Sequence, residues 1–426
     1  MIYTENEILQ YIDENDVKFV KLTFCDINGN LKNISVLSSE LATVFEHGLK
    51  INSSKIEGFA AKEGKALYLF PDASTMTMLP WRPQQGRVIR LFCYIFYADG
   101  SRYEGDGRYF LKKAVKAALD KGFCFRFGTS CEFMLFCTDD NGLPTTVRHD
   151  MAGYCDSAPY DKGENIRRDI CLTLEQMNIH PLSSYHEDGC GQHEIDFNAS
   201  SALRAADTFM SFKSAVKSVS QRNNVYASFM PKPDKNDCSN GMKIAMNIIK
   251  DDDFFDVSSN KSEIQMQNAI AGIIKRLKEI SLFTNPLINS YSRLAENGLP
   301  RKIAWSDSEN TLAAVFSDED SPVILRTPDC AGNPYYIFGL LIYAALEGLE
   351  NKYELPEKLN TDSQTEEMPG NLEEAIEAAR QSEFLARYIH SGILDEYVKI
   401  KKSVWDEYSD SADKEAFEFR KYFYSV

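Results

Sequence analysis

At Asp106 the hydrophobic period of the chain changes, and that switch does most to limit what the sequence can fold into. Before it, "VKFVKLTFCDINGNLKNISV" alternates apolar and polar residues on both sides of Asn28-Gly29, a dipeptide that tolerates the positive φ of a tight hairpin turn. "SKIEGFAAKEGKALYLFPD" and "QGRVIRLFCYIFYADG" add β-type runs that end at Gly or Pro, and Pro71, Pro80, Pro83 and Gly86 punctuate the segment. After the switch, "GRYFLKKAVKAALDKGF" sets Phe110, Leu111, Ala114, Val115 and Ala118 on one helical stripe, with Gly122 placed to end it. A small, mainly β unit over residues 1–104 and a larger mixed unit over 105–426 are expected.

The larger unit alternates strand patterns ("FCFRFGTSCEFMLF", "HEIDF", "NGMKIAMNII") with helical ones ("GENIRRDICLTLEQM", "DTFMSFKSAVKSVSQRN", "EIQMQNAIAGIIKRLKEI"). After the Pro369-Gly370 break, the C-terminus reads as helices on the surface. The formal net charge of -16 opposes binding to nucleic acid or anionic membrane, since both require a basic face. No segment reaches the roughly 18 unbroken apolar residues of a membrane span, and "MIYTENEILQ" lacks a leader pattern, so a cytoplasmic location is expected. Ten cysteines are scattered with no C-x-x-C pair and read as reduced, mostly buried thiols.

In "YHEDGCGQHEIDF", Glu187 and Glu194 lie seven apart around a glycine-bearing loop. A tight turn that brings two such carboxylates together could build a divalent-cation site or could leave both solvated. The local pattern leaves both readings open.

Several landmarks fall in one order: "LPWRPQQGRVIRLFCYIFYADGSRYEGDGRYFLKKA", "CEFMLF", "HEDGCGQHEIDF", "FMPKP", "NGMKI", "NSYSRL", "AWSDSEN" and "LRTPDCAGNPYYIFGLLIYAALEGLENK". Together they resemble the glutamine synthetase family, bacterial class I, from about Val17 onward. The resemblance implies an α+β architecture, with an N-terminal β-grasp domain and a catalytic domain built on a curved antiparallel sheet with helices. It also implies homo-oligomers of stacked hexameric rings, with sites between subunits. The family reaction phosphorylates the γ-carboxylate of glutamate with ATP and then displaces phosphate with ammonia. Phosphoryl transfer of this kind relies on cations and arginines for charge neutralisation.

By resemblance, Glu132, Glu187 and Glu194 match the three glutamates of one family metal position, for Mg²⁺ or Mn²⁺. The strand pattern agrees for Glu132, because Phe123, Phe125, Phe127, Phe133 and Leu135 take the opposite parity. At the family's second metal position stand Ser130, Lys243 and Ile324, which make no plausible ligand set. Lys243 is expected on the glutamate side, where its ammonium could replace a cation or simply neutralise a relict site.

The family's phosphate arginines are replaced by Thr311 and Phe316 in "NTLAAVF", and no Lys or Arg occurs between Ile303 and Leu325. Asp307, Glu309, Asp318, Glu319 and Asp320 make that stretch acidic, which argues against ATP. Arg293 and Arg326 survive as candidates to hold a carboxylate or phosphate, or as folding contacts. Ile51 and Asn52 occupy the place of the family's catalytic aspartate. Gly298 or Leu299 occupies that of its catalytic glutamate, with Glu296 nearby, so no catalytic residue is assigned.

The expected function is therefore a glutamine synthetase-like pseudoenzyme that binds a small carboxylate or amine and assembles with itself or with a paralogous glutamine synthetase. The alternative is an active ATP-dependent carboxylate-amine ligase of altered amine specificity. A purely structural role is a third reading.

Overall fold

The structure is a computed structural model that describes residues 3–59, 66–82, 85–250, 253–254, 260–296, 299–307, 313–316, 323–360 and 365–426. The first part of the chain forms α1 (Glu5–Glu14), β1 (Val17–Cys25), β2 (Leu31–Leu37), α2 (Leu41–His47), β3 (Leu49–Ile51), β4 (Leu67–Pro71), β5 (Thr77–Met78) and β6 (Arg87–Tyr97). They make a six-stranded sheet in the order β2-β1-β6-β4-β3, with β5 also on β6, and β1 runs parallel to β6. The Asn28-Gly29 hairpin forms as the sequence indicates, with Gly29 at φ +85°. Glycine is needed there twice over, because a Cβ would also lie 3.2 Å from the Asn333 backbone.

The rest of the chain carries α3 (Gly107–Leu119), β7 (Phe123–Thr138), β8 (Pro144–Arg148), α4 (Glu164–Gln176), β9 (Pro181–His186), β10 (Gln192–Ser201), α5 (Ala202–Arg222), β11 (Val225–Ser228), β12 (Met242–Lys250) and β13 (Asp253–Phe254). Then follow α6 (Asn260–Thr284), α7 (Ile288–Leu294), β14 (Lys302–Ser306), β15 (Ala313–Phe316), β16 (Val323–Leu325), α8 (Pro334–Asn351), α9 (Leu372–Arg380), α10 (Glu383–Tyr388), α11 (Ser391–Asp410) and α12 (Lys414–Tyr422). The second sheet has ten strands in the order β14-β15-β16-β12-β7-β10-β9, with β8 and β11 beside β7 and β13 beside β12. The architecture is the expected α+β. Its second sheet is antiparallel except where β14 runs parallel to β15.

The period change at Asp106 marks a real junction between elements. Asp106 caps α3 by accepting from Tyr109 N at 3.1 Å, and its other oxygen accepts from Ile95 N of β6 at 2.9 Å. Of the predicted stripe, Phe110, Leu111, Ala114 and Ala118 are buried and Val115 is half-buried, and Gly122 ends the helix region at φ +77°. It packs on α8, a helix buried on all sides from Pro334 to Gly348. Asn333 caps α8 and also donates to Asp26 O at 3.0 Å, which ties the N-terminal hairpin to this central helix. Where α6 crosses α8, Gly272 and Gly348 face each other so closely that a Cβ on either would strike backbone.

The C-terminal helices are more than the surface layer expected from the sequence. Leu372, Ile376, Leu385 and Tyr397 are buried, and Phe423 lies wholly inside against Phe136, with ring centroids 4.9 Å apart. Each helix is amphipathic, so its polar face was legible while the partner of its apolar face was not. Among the described residues no helix is long and apolar enough to cross a membrane.

Candidate functional site

Three adjacent strands build the floor of the site by register alone. β10 pairs with β7 so that Glu194 lies opposite Glu132, and with β9 so that Glu194 lies opposite Tyr185. Glu187 follows β9 directly, where its N–H donates to Gln192 O at 2.9 Å and closes the turn. Gly191 takes φ +63°, and a Cβ there would come within 2.8 Å of Leu135 O, so this turn requires glycine. The result is that ligand-capable oxygens of Glu132, Glu187 and Glu194 all lie within 4.8 Å of one another.

Each carboxylate is held by one oxygen. Glu132 Oε2 accepts from Gly241 N at 2.6 Å and Gln192 Nε2 at 3.2 Å, Glu194 Oε1 from Tyr185 OH at 2.6 Å, and Glu187 Oε2 from Asp188 N at 3.2 Å. Glu194 Oε2 is buried with no hydrogen-bond partner. Burial first, and then the Glu132 charge, pushes the Glu194 carboxyl up to about 9, and the same two causes raise Glu187. An orphaned buried oxygen beside two more carboxylates, all oriented by donors behind them, fits a hard divalent cation such as Mg²⁺ or Mn²⁺. Tyr185 and Gln192 escaped the sequence reading. The alternation along β9 and β10 puts both on or beside the glutamate floor and was the available signal.

The neighbouring wall is different in kind. Lys243 on β12 lies opposite Ser130 on β7, and Ser130 lies opposite Asp196 on β10. Lys243 Nζ comes 3.9 Å from Glu194 Oε1, so the lysine does face the glutamates. Ile324 pairs with Ala245 on the next strand over. A hydroxyl, an ammonium and an alkyl chain do not fit a second cation here.

The two arginines separate. Arg293 is 4% exposed and donates to the carbonyls of Thr327 at 2.8 Å and Arg326 at 3.4 Å, so its guanidinium braces that loop from inside. Arg326 is half-buried at the end of β16, with its N–H on Ala314 O at 2.9 Å. Glu296 pairs with the buried Lys232 at 2.7 Å and accepts from Ser239 Oγ at 2.7 Å. Asn52 caps a short turn by accepting from Ser54 N at 3.2 Å, and Ile51 is buried in β3. Gly298, Glu309, Thr311, Asp318, Glu319 and Asp320 fall outside the described residues, and Phe316 is described only as part of β15.

A second polar cluster, missed by the sequence reading, lies behind the hairpin. Asp150 Oδ1 bonds His186 Nε2 at 2.9 Å and the Gly191 N–H at 3.0 Å, while His186 Nδ1 donates to Glu187 O at 2.7 Å. Arg167 donates to His193 Nδ1 at 2.9 Å and pairs with Asp161 at 2.7 Å. Burial, and then the Arg167 charge, holds His193 well below the usual histidine range and keeps it neutral. Asp150, His186 and His193 also have ligand atoms within 4.8 Å of one another. Their hydrogen bonds and the facing Arg167 make this cluster a brace for Glu187 and Glu194. Its signal was the repeated His-Glu pair in "HEDGCGQHE", with each histidine on the face opposite its glutamate.

A family model described as glutamine synthetase, catalytic domain, matches residues 104–422, and one described as glutamine synthetase, beta-Grasp domain, matches residues 16–98. A glutamine synthetase of Clostridium saccharobutylicum is 38% identical, covering 95% of this chain and 96% of its own. One of Methanosarcina mazei is 36% identical over 95% of each chain. Among solved structures, a cryoEM Plasmodium falciparum glutamine synthetase superposes with a TM-score of 0.85 at 21% identity, covering 99% of both chains. A structure titled "Apo GmaS without ligand" superposes with a TM-score of 0.87 at 24% identity, covering 97% of this chain and 99% of its own.

Proposed function

Because the chain belongs to the glutamine synthetase family, we propose that it is a one-cation, ligand-binding member whose formation of glutamine from glutamate, ammonia and ATP is largely lost. The observation that carries this reading is the wall of Ser130, Lys243 and Ile324 beside an intact trio of glutamates. When bound at Glu132, Glu187 and Glu194, Mg²⁺ or Mn²⁺ would neutralise the trio and polarise a ligand carboxylate. Lys243 supplies a fixed positive charge at the next rung, suited to the carboxylate of a small acid or amino acid. Arg326, half-buried at the end of β16, is a second candidate to hold an anionic ligand, while Arg293 acts by holding the Arg326 and Thr327 carbonyls.

Catalysis of the family reaction needs charge neutralisation around the transferred phosphoryl group and a group to take a proton. Glu296 is committed to the buried Lys232, and Asn52 to its own turn. Removing one stabilising group of this sort costs roughly 10²–10³ in rate, and here several differ at once. The reading of an active ligase with altered amine specificity is favoured by one observation, the 38% identity to a glutamine synthetase across 95% of the chain.

Phosphate release from ATP with glutamate and a panel of amines, with Mg²⁺ or Mn²⁺, separates the two. The expected result is release at background, with thermal stabilisation by the cation that ATP does not increase. Amine-dependent release above background would overturn the proposal. Assembly into stacked hexameric rings, alone or with a paralogous synthetase, belongs to the same reading. It is supported by Phe19 and Leu37, directly paired across β1 and β2 and 45% and 54% exposed. A monomeric native mass would remove that part.

A further inference from the structure

We propose that a groove at the far end of the glutamate-bearing sheet face binds a phosphate group. The cavity, about 460 Å³, is lined by Arg126, His180 and Arg204 together with the hydroxyl-bearing Ser200, Ser201 and Thr208, and its lining contains no Asp or Glu. Arg126 lies on β7 with the same strand parity as Glu132, six residues away, which is about 20 Å along a strand. The groove is therefore separate from the trio, and its assignment does not depend on what the trio binds.

Charge contrast decides the ligand class. The chain has 63 acidic residues and a net charge of -16, yet among the described residues neither Arg126 nor Arg204 forms an ion pair with any of them. Arg126 Nη2 donates to Ala199 O at 2.7 Å and Arg204 Nη2 to Asn178 O at 3.2 Å. Each guanidinium is thus fixed through one nitrogen, with further N–H donors remaining for a ligand. Two arginines kept apart from carboxylates, at one cavity, in so acidic a chain, form a site for an anion. The three hydroxyl-bearing side chains of the same lining add O–H donors to the guanidinium forks, and a phosphate, with more acceptor oxygens than a carboxylate, can use more of them.

The test is calorimetric titration of the full chain, at constant ionic strength, with inorganic phosphate, glycerol phosphate and malonate. Saturable binding of phosphate or of the phosphomonoester is expected, with malonate weaker. The tighter of the two phosphate forms identifies a free ion or a phosphorylated metabolite, and either supports the site. Arg204→Gln, at an exposed position, is expected to weaken binding at least about tenfold with an unchanged melting temperature. Arg126→Gln is expected to weaken it as well, and Glu187→Gln to leave it unaltered. Absence of saturable binding, equal affinity in Arg204→Gln, or malonate binding as tightly as phosphate would overturn the proposal.

Discussion

The Lys243 ammonium lies 3.9 Å from Oε1 of Glu194, a residue only 1% exposed. In the metal-free protein this ammonium offsets part of the negative charge of the trio that the proton on Glu194 does not cancel. A cation bound at the trio meets the same ammonium as a like charge. Two unit charges about 4 Å apart near a protein surface interact with roughly 4 kcal/mol. Lys243 is 39% exposed, so solvent screening reduces the net effect to about 1 kcal/mol, a factor of roughly five in affinity. Lys243→Met is therefore expected to bind Mn²⁺ more tightly by that factor while its metal-free form melts lower. Titration calorimetry that gave equal or weaker Mn²⁺ binding would refute the electrostatic role of Lys243.

Glu194 predicts a proton count. Burial and Glu132 raise its carboxyl from the ordinary 4.5 to about 9, so the metal-free folded protein holds a proton there that the unfolded chain releases. Folding stability from this group is then present below the unfolded value and declines as pH rises toward the folded one. Coordination requires the carboxylate, so cation binding near pH 7 displaces that proton. The observed binding enthalpy should vary with the ionisation enthalpy of the buffer, and affinity should climb between pH 6 and 9. A buffer-independent enthalpy with flat affinity would contradict this account.

How much of this was legible in the sequence depended on the range of each signal. The Asn28-Gly29 hairpin, most of the α3 stripe and the placement of Lys243 on the glutamate side are local patterns, and each appears in the structure. The meeting of Glu132 with Glu187 and Glu194 is a matter of strand register across 55 or more positions, which the motifs implied only through a resemblance. Of the brace of Asp150, His186, Arg167 and His193, only the two histidines left a trace, in the repeated His-Glu pair. Its members come from four separate segments, and each alone resembles an ordinary polar residue. Arg293 in "NSYSRL" reads equally as an anion-binding cation or as a folding contact, and it holds two carbonyls, a choice left open because backbone acceptors leave no mark in a sequence.

Tyr185 holds one oxygen of Glu194 at 2.6 Å, and the other is buried with no hydrogen-bond partner. Partners that orient a metal ligand from behind typically contribute 10–100-fold to metal affinity. Tyr185→Phe keeps the ring and its edge-to-face contact with Tyr154, so the fold should persist. Mn²⁺ affinity should nonetheless fall by about tenfold. An unchanged affinity would mean that β-sheet register alone orients Glu194.

Arg108, on α3, joins the turn after β4 to α5, and its truncation should be costly. It is 4% exposed, with Nη1 2.8 Å from Asp72 and Nη2 3.0 Å from Asp207, and Asp207 also accepts from Tyr335 OH at 2.7 Å. Asp72 belongs to the turn after β4 and Asp207 to α5, so one guanidinium ties α3 to both, and Tyr335 of α8 joins through Asp207. Arg108→Ala leaves two carboxylates facing each other with little solvent, a loss of about 3–5 kcal/mol for a broken buried pair. Arg108→Lys restores the charge but not the fork that meets two partners at once, and should recover only part of it. Urea unfolding at pH 7 reads both, and a midpoint for Arg108→Ala equal to that of the unsubstituted protein would show that the crosslink is not what holds the first sheet to α5.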